Sequence, residues 1–221
     1  MNPATGVFSA TWQQALWGLW IVTLLPFLTK RAWTSLRQPA RLNLWCAAIA
    51  VIFTLWCIRY SVKPGLMLHL IGATILMLMF GPRLAQLALY LVMAGVAATG
   101  IAGFEGYPAN ALLAGALPVW VSWLLLQLIE RRLPANIFVF IFVAGFLSAA
   151  LAMACSAVAT VALHAGAGTY AVAYLTEYYL PYALLLSFGE AFITGMSMAL
   201  MVAYFPQWVL MFDDKRYLAR R

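Results

Sequence analysis

Ile137-Phe-Val-Phe-Ile-Phe-Val-Ala-Gly-Phe-Leu-Ser-Ala-Ala-Leu-Ala-Met-Ala-Cys-Ser-Ala-Val-Ala-Thr-Val-Ala-Leu163 runs without one charged side chain. It exceeds the roughly 20 apolar residues that a helix needs to cross a hydrocarbon core of about 30 Å. It is too long, and too uniformly apolar, for the alternating strand of a membrane barrel. Its second half carries Ser148, Ala149, Ala150, Ala152, Ala154, Ser156, Ala157, Ala159 and Ala162. Small residues at this density let neighbouring helix backbones approach closely, which places this helix at the centre of a bundle.

The rest of the chain repeats the pattern. Of its 221 residues, 66% are hydrophobic and 9% charged, against roughly 25% charged in a soluble domain; mean hydropathy is +0.93. Such a surface has too little polar material to face water, so lipid is its solvent. Apolar runs broken by charge, Pro and Gly give seven segments: Phe8 to Thr29, Leu42 to Ile58, Leu66 to Phe80, Leu84 to Gly103, Ala111 to Ile129, Ile137 to Leu163 and Tyr182 to Phe205. The expectation is a single all-α integral-membrane domain over 1–221, a polytopic transmembrane helical bundle of about seven spans. The third segment is short for a span and runs directly into Gly81-Pro82, so it either tilts little or breaks before the far side.

The first segment is not read as a secretory signal. Met1 to Gly6 carries no basic side chain, and Lys30 and Arg31 follow the apolar run instead of preceding it. It reads as a retained span with the N-terminus outside. Seven spans then put Lys30, Arg31, Arg37, Arg41, Arg83, Arg131, Arg132, Lys215, Arg216, Arg220 and Arg221 inside and leave only Arg59 and Lys63 outside. That distribution satisfies the positive-inside rule, with a cytoplasmic C-terminus and a plasma-membrane, multi-pass location. The net charge of +7 is thereby a topology signal, and no nucleic-acid partner is needed to explain it. Cys46, Cys57 and Cys155 lie in apolar stretches and make an odd set, which implies buried apolar residues and no disulfide framework.

With so few ionisable groups, each can be weighed. Glu190, in Ser187-Phe-Gly-Glu-Ala-Phe-Ile-Thr194, is the one acidic residue inside a span. A carboxylate there costs roughly 2.5 to 3.5 kcal/mol even on gentle scales, so it needs a partner or a role. It reads as either a coupling residue on an ion path or a structural carboxyl, with Thr194 one turn away on the same face. His69 sits near the outer end of the third segment, where an imidazole either packs and hydrogen-bonds or ligates. His164 opens the loop His164-Ala-Gly-Ala-Gly-Thr-Tyr170 and reads as structural. No Gly-Lys dipeptide occurs, so there is no phosphate loop; His-Glu-x-x-His, Cys-x-x-Cys and Gly-x-Ser-x-Gly are also absent. Any ATP-driven step would need another chain.

Three stretches together resemble the CbiM/NikM family, membrane components that capture nickel or cobalt for energy-coupling-factor ABC transporters. Met1-Asn-Pro-Ala-Thr-Gly6-Val-Phe-Ser9 is similar to the family opening Met-His-Ile-Pro-Asp/Glu-Gly-Phe-Leu-Ser. Pro64-Gly-Leu-Met-Leu-His69-Leu-Ile-Gly72, with Gly81-Pro82 downstream, resembles its Pro-Gly-(x)-His-Leu motif, and Gly189-Glu190-Ala-Phe-Ile-Thr194 its Glu-Gly-Leu-Ile-Thr. Less specifically, Gly106-Tyr-Pro-Ala-Asn110 with Pro118 resembles a family loop.

The resemblance implies a site in which the terminal amine, a His in second position and the His of the third span hold the ion, here Met1, Asn2 and His69. Neutral nitrogen donors suit nickel and cobalt. Asn2, however, replaces the imidazole. Three outcomes stay open: a weaker or differently selective metal site using Met1, His69 and Met67, Glu105 or His164; a changed substrate; or a site that no longer binds metal. The implied partners are membrane lipid, a transmembrane coupling subunit and cytosolic ATPase subunits. No cofactor is tightly bound, the metal being substrate. The competing functions are a non-transporting accessory protein in metal handling or metalloenzyme assembly and, more distantly, an intramembrane enzyme using Glu190 and His164. No nucleophile and base pair is recognisable, so the expectation is not an enzyme.

Overall fold

The computed structural model describes residues 8–28, 33–63, 66–100 and 104–217. In chain order these form α1 (Ala10–Val22), α2 (Pro39–Cys57), a hairpin of β1 (Tyr60–Lys63) and β2 (Leu66–Leu68), and α3 (Ala73–Phe80). Then come α4 (Pro82–Ala98), α5 (Phe104–Arg132), α6 (Val139–Gly166), α7 (Val172–Tyr178), α8 (Leu180–Tyr204) and the short α9 (Asp214–Tyr217). Helices α2, α5, α6 and α8 are long and apolar enough to cross a membrane, and α4 is a shorter apolar helix.

The third expected span is corrected. Leu66 to Phe80 is not helical throughout: Leu66–Leu68 is a strand, antiparallel to Tyr60–Lys63 with Tyr60 opposite Leu68 and Lys63 opposite Leu66. Helix begins only at Ala73, after Gly72 at φ +73°. Only glycine adopts that conformation without strain, and a Cβ at Gly72 would also run into Ile52 Cδ1. At 1.5 Å per residue α3 is about 12 Å long, less than half of a hydrocarbon core.

That stub is the axis of the molecule. Every α3 residue except Ile75 is buried, and the helix packs against α4, α5, α6 and α8. Its one side-chain hydroxyl is satisfied internally, Thr74 Oγ1 lying 2.6 Å from Ser122 Oγ of α5. The small-residue helix α6 lies between α5 and α8, packing along both. Ala149, Ala152, Ser156, Ala157 and Thr160 form its buried face.

Close approach is put to use where α5 loosens into a π turn at Ala111–Ala116. Such a turn disturbs the regular backbone ladder, and the Ser156 hydroxyl of α6 donates to the Leu113 carbonyl there. At the other end of α3 the chain turns at Gly81, φ +82°, and Pro82 starts α4. Here the segment after α8 lies across the helix end: Leu210 N–H donates to the Met79 carbonyl at 3.2 Å and Met211 N–H to that of Leu78 at 3.1 Å. The bundle therefore has a hairpin end and a tail end, with α3 reaching toward both.

Candidate functional site

His69 lies between β2 and α3 and is only 8% exposed. The Trp56 indole, from the last turn of α2, stands 4.4 Å from it, ring centre to ring centre. On one side His69 helps line a small pocket of about 10 Å³ with Met67, Ile71, Ala114 and Met153, room for about one water-sized sphere. On the other it borders an open cleft of about 560 Å³ walled by Arg59, Tyr60, Tyr182 and Leu186. The imidazole thus stands between an open cleft and a small pocket.

His69 Nδ1 is 2.9 Å from the Leu70 carbonyl. A carbonyl oxygen can only accept, so Nδ1 carries the hydrogen, and the ring's lone pair is on Nε2. That is the tautomer a metal-ligating histidine needs when its second nitrogen is anchored by the protein.

Glu190 meets this segment from α8. It is 4% exposed; its Oε2 accepts the Ile71 N–H at 2.8 Å and its Oε1 the Gly72 N–H at 2.6 Å. Gly72 has no side chain with which to cap α3, and the carboxylate supplies that cap from 118 residues away. An anion is favoured there because the backbone N–H groups at a helix start are unpaired and carry partial positive charge. The membrane carboxyl singled out in the sequence thus has its partners in the peptide that follows His69. Thr194, one turn along α8, is buried beside it at 1% exposure.

Trp56, which sequence reading did not single out, completes the arrangement: its Nε1–H donates to the Ile71 carbonyl at 3.1 Å. Nothing in a tryptophan at the end of an apolar run signals this partner. Of the remaining candidates, Met67 does line the cavity beside His69, and Met153 faces it from α6. Glu105 is exposed at the start of α5. His164 is buried against Phe8 and Tyr170, with ring centres 5.2 and 5.6 Å away, and its Nδ1 is 2.7 Å from Thr169 Oγ1. Met1 and Asn2 lie outside the described residues. Among the described residues no group of three or more His, Cys, Asp or Glu is gathered to hold a metal ion.

Comparisons with known proteins agree with this architecture. The family profile described as "Cobalt uptake substrate-specific transmembrane region" matches residues 4–208. Among solved structures, a truncated transition metal transporter superposes with a TM-score of 0.78 at 19% identity, over 92% of this chain and 99% of that chain. A second transition metal transporter gives 0.71 at 19% identity, over 94% and 92%. At such identity the likeness is one of fold. No curated protein matches the chain.

Proposed function

The chain belongs to the CbiM family of cobalt-uptake transmembrane regions, and from that membership we propose that it is the substrate-capture permease subunit of an energy-coupling-factor ABC transporter for nickel or cobalt. As a family member it is a multi-pass membrane component of metal uptake. Seven spans, an outer N-terminus, a cytoplasmic C-terminus and a plasma-membrane location belong to the proposal. So do a transmembrane coupling subunit and cytosolic ATPases as partners.

The observation that carries the reading is His69: a buried imidazole, anchored through Nδ1, at the wall of a cavity sized for one small particle. In this reading its Nε2 joins the Met1 amine and the backbone nitrogen of Asn2 around the ion. Nitrogen donors of this kind favour nickel and cobalt over magnesium or calcium, which prefer oxygen. Asn2 brings no second imidazole, so the affinity expected is below that of a set with histidine there. Glu190 serves the site through the backbone instead of touching the ion.

Metal analysis of the purified chain with an untagged N-terminus tests this. One nickel or cobalt ion per chain, lost in His69→Ala, is the expected result. Asn2→His should raise affinity by well over tenfold in a calorimetric titration, because one more imidazole contributes more than about 1.4 kcal/mol, and His69→Ala should cancel the gain. The accessory reading, metal handling or metalloenzyme assembly without transport, is favoured by one observation, Asn2 itself. It prevails if neither nickel nor cobalt is retained and no ATPase co-purifies.

A further inference from the structure

The four backbone groups of the two peptide units that join Leu70 to Ile71 and Ile71 to Gly72 are each taken up by a side chain. Every described peptide bond is trans, so the N–H and C=O of one peptide unit point to opposite edges. In the unit joining Leu70 to Ile71, the carbonyl accepts from His69 Nδ1 at 2.9 Å and the N–H donates to Glu190 Oε2 at 2.8 Å. In the unit joining Ile71 to Gly72, the carbonyl accepts from Trp56 Nε1 at 3.1 Å and the N–H donates to Glu190 Oε1 at 2.6 Å. Glu190 and His69 therefore hold opposite edges of the same peptide plane.

We propose that Glu190 and Trp56 are positioning residues for metal capture, forming with the Leu70–Ile71 peptide a carboxylate–peptide–imidazole chain that fixes His69 with its hydrogen on Nδ1 and its lone pair on Nε2. The inference rests on His69 being a ligand of the proposed site. Hydrogen bonds in series polarise one another in a low-dielectric interior. A carboxylate drawing on the Ile71 N–H makes the Leu70 carbonyl a stronger acceptor, and that acceptor holds the Nδ1 hydrogen and raises the donor strength of Nε2. Metal-ligating histidines commonly have this support directly from a carboxylate or a carbonyl. Here the carboxylate acts through one peptide group. Trp56 prevents the next unit from turning, so the plane cannot rotate away from either partner. The burial of Glu190 in the membrane is accounted for by the two peptide hydrogens it receives.

The chain contains two histidines, His69 and His164, which makes the test direct. Ring-nitrogen NMR of the full-length, histidine-labelled, metal-free protein reads both tautomers, with His69→Ala assigning the signals. His164 is the internal control: Thr169 Oγ1 donates to the His164 carbonyl at 2.9 Å, so its contact with Nδ1 also puts the hydrogen on that nitrogen.

The variant is Glu190→Gln, whose single carbonyl oxygen can serve only one of the two N–H groups. His69 should move from a single Nδ1–H form to a mixture while His164 stays unchanged, and nickel affinity should fall at least tenfold. An unshifted His69 signal in Glu190→Gln overturns the proposal. So does an equal change at both histidines. Should Glu190→Gln fail to fold, Trp56→Phe is read in the same way, with a smaller tautomer shift expected and no shift fatal. If the wild-type chain binds neither nickel nor cobalt, the capture reading falls, and the metal-free spectra alone decide the positioning role.

Discussion

The two ends of α3 are closed by different means. At the hairpin end the partners are side chains anchored on other helices: Glu190 of α8 and Trp56 of α2, gripping consecutive peptide units. At the tail end the partners of the last carbonyls are the backbone N–H groups of Leu210 and Met211, in the segment that follows α8. Arg41 adds a guanidinium, Nη1 lying 3.3 Å from the Met79 oxygen, a cation at the helix end that favours one. The first closure fixes an orientation, because its donors and acceptors sit on packed helices. The second is a strap, held in turn by Arg216 on Glu130 at 3.0 Å and by Tyr217 against Phe140 and Phe212. One end is held by side chains of packed helices; the other is held by the backbone of a segment that follows the last long helix.

The sharpest challenge to that contrast is Gly72→Ala. A Cβ there combines a left-handed backbone, about 1 to 2 kcal/mol, with overpacking against Ile52 of roughly 1 to 3 kcal/mol. The expected loss is about 2 to 5 kcal/mol, read as a large drop in thermal unfolding midpoint and in metal retention. Of the same size is Glu190→Ala, which leaves two buried N–H groups without an acceptor at about 1 to 3 kcal/mol each and should also release His69.

At the tail end Arg41→Ala should cost only about 0.5 to 1 kcal/mol, because the backbone bonds remain, and leave metal affinity unchanged. A loss equal to that of Gly72→Ala would erase the distinction. The effect confined to high pH belongs to Tyr217. Burial, and then the neighbouring Glu130 charge, push its hydroxyl up to about 12. The folded chain thus prefers the protonated form that donates to Glu130 at 3.3 Å. Its contribution is complete below about pH 10, the unfolded value, and lost as pH rises through about 12. Proteolysis of the segment after Phe205 should accelerate over that window in the wild type and show no such step in Tyr217→Phe.

Much of this was legible beforehand, for identifiable reasons. Hydropathy located helix within each of the seven apolar runs, since length and lack of charge are what lipid demands. Glu190 and His69 stood out because ionisable groups are few. The hairpin was not legible: Leu66-Met-Leu is apolar, and a short apolar run does not distinguish strand from buried helix. The link from Glu190 to Ile71 and Gly72 was hidden because it pairs a side chain with backbone across more than a hundred positions, which no periodicity records. Trp56 was missed for the same reason. The expected central place of the small-residue helix is refined rather than lost, since α6 flanks the more deeply buried α3.

The paired peptide hydrogens at Ile71 and Gly72 have a temporal meaning as well. An amide exchanges with solvent deuterium only when its acceptor lets go, and these two share one acceptor group. Their exchange is therefore synchronised, and its rate counts how often Glu190 leaves the helix start. Two adjacent amides thus report on one carboxylate.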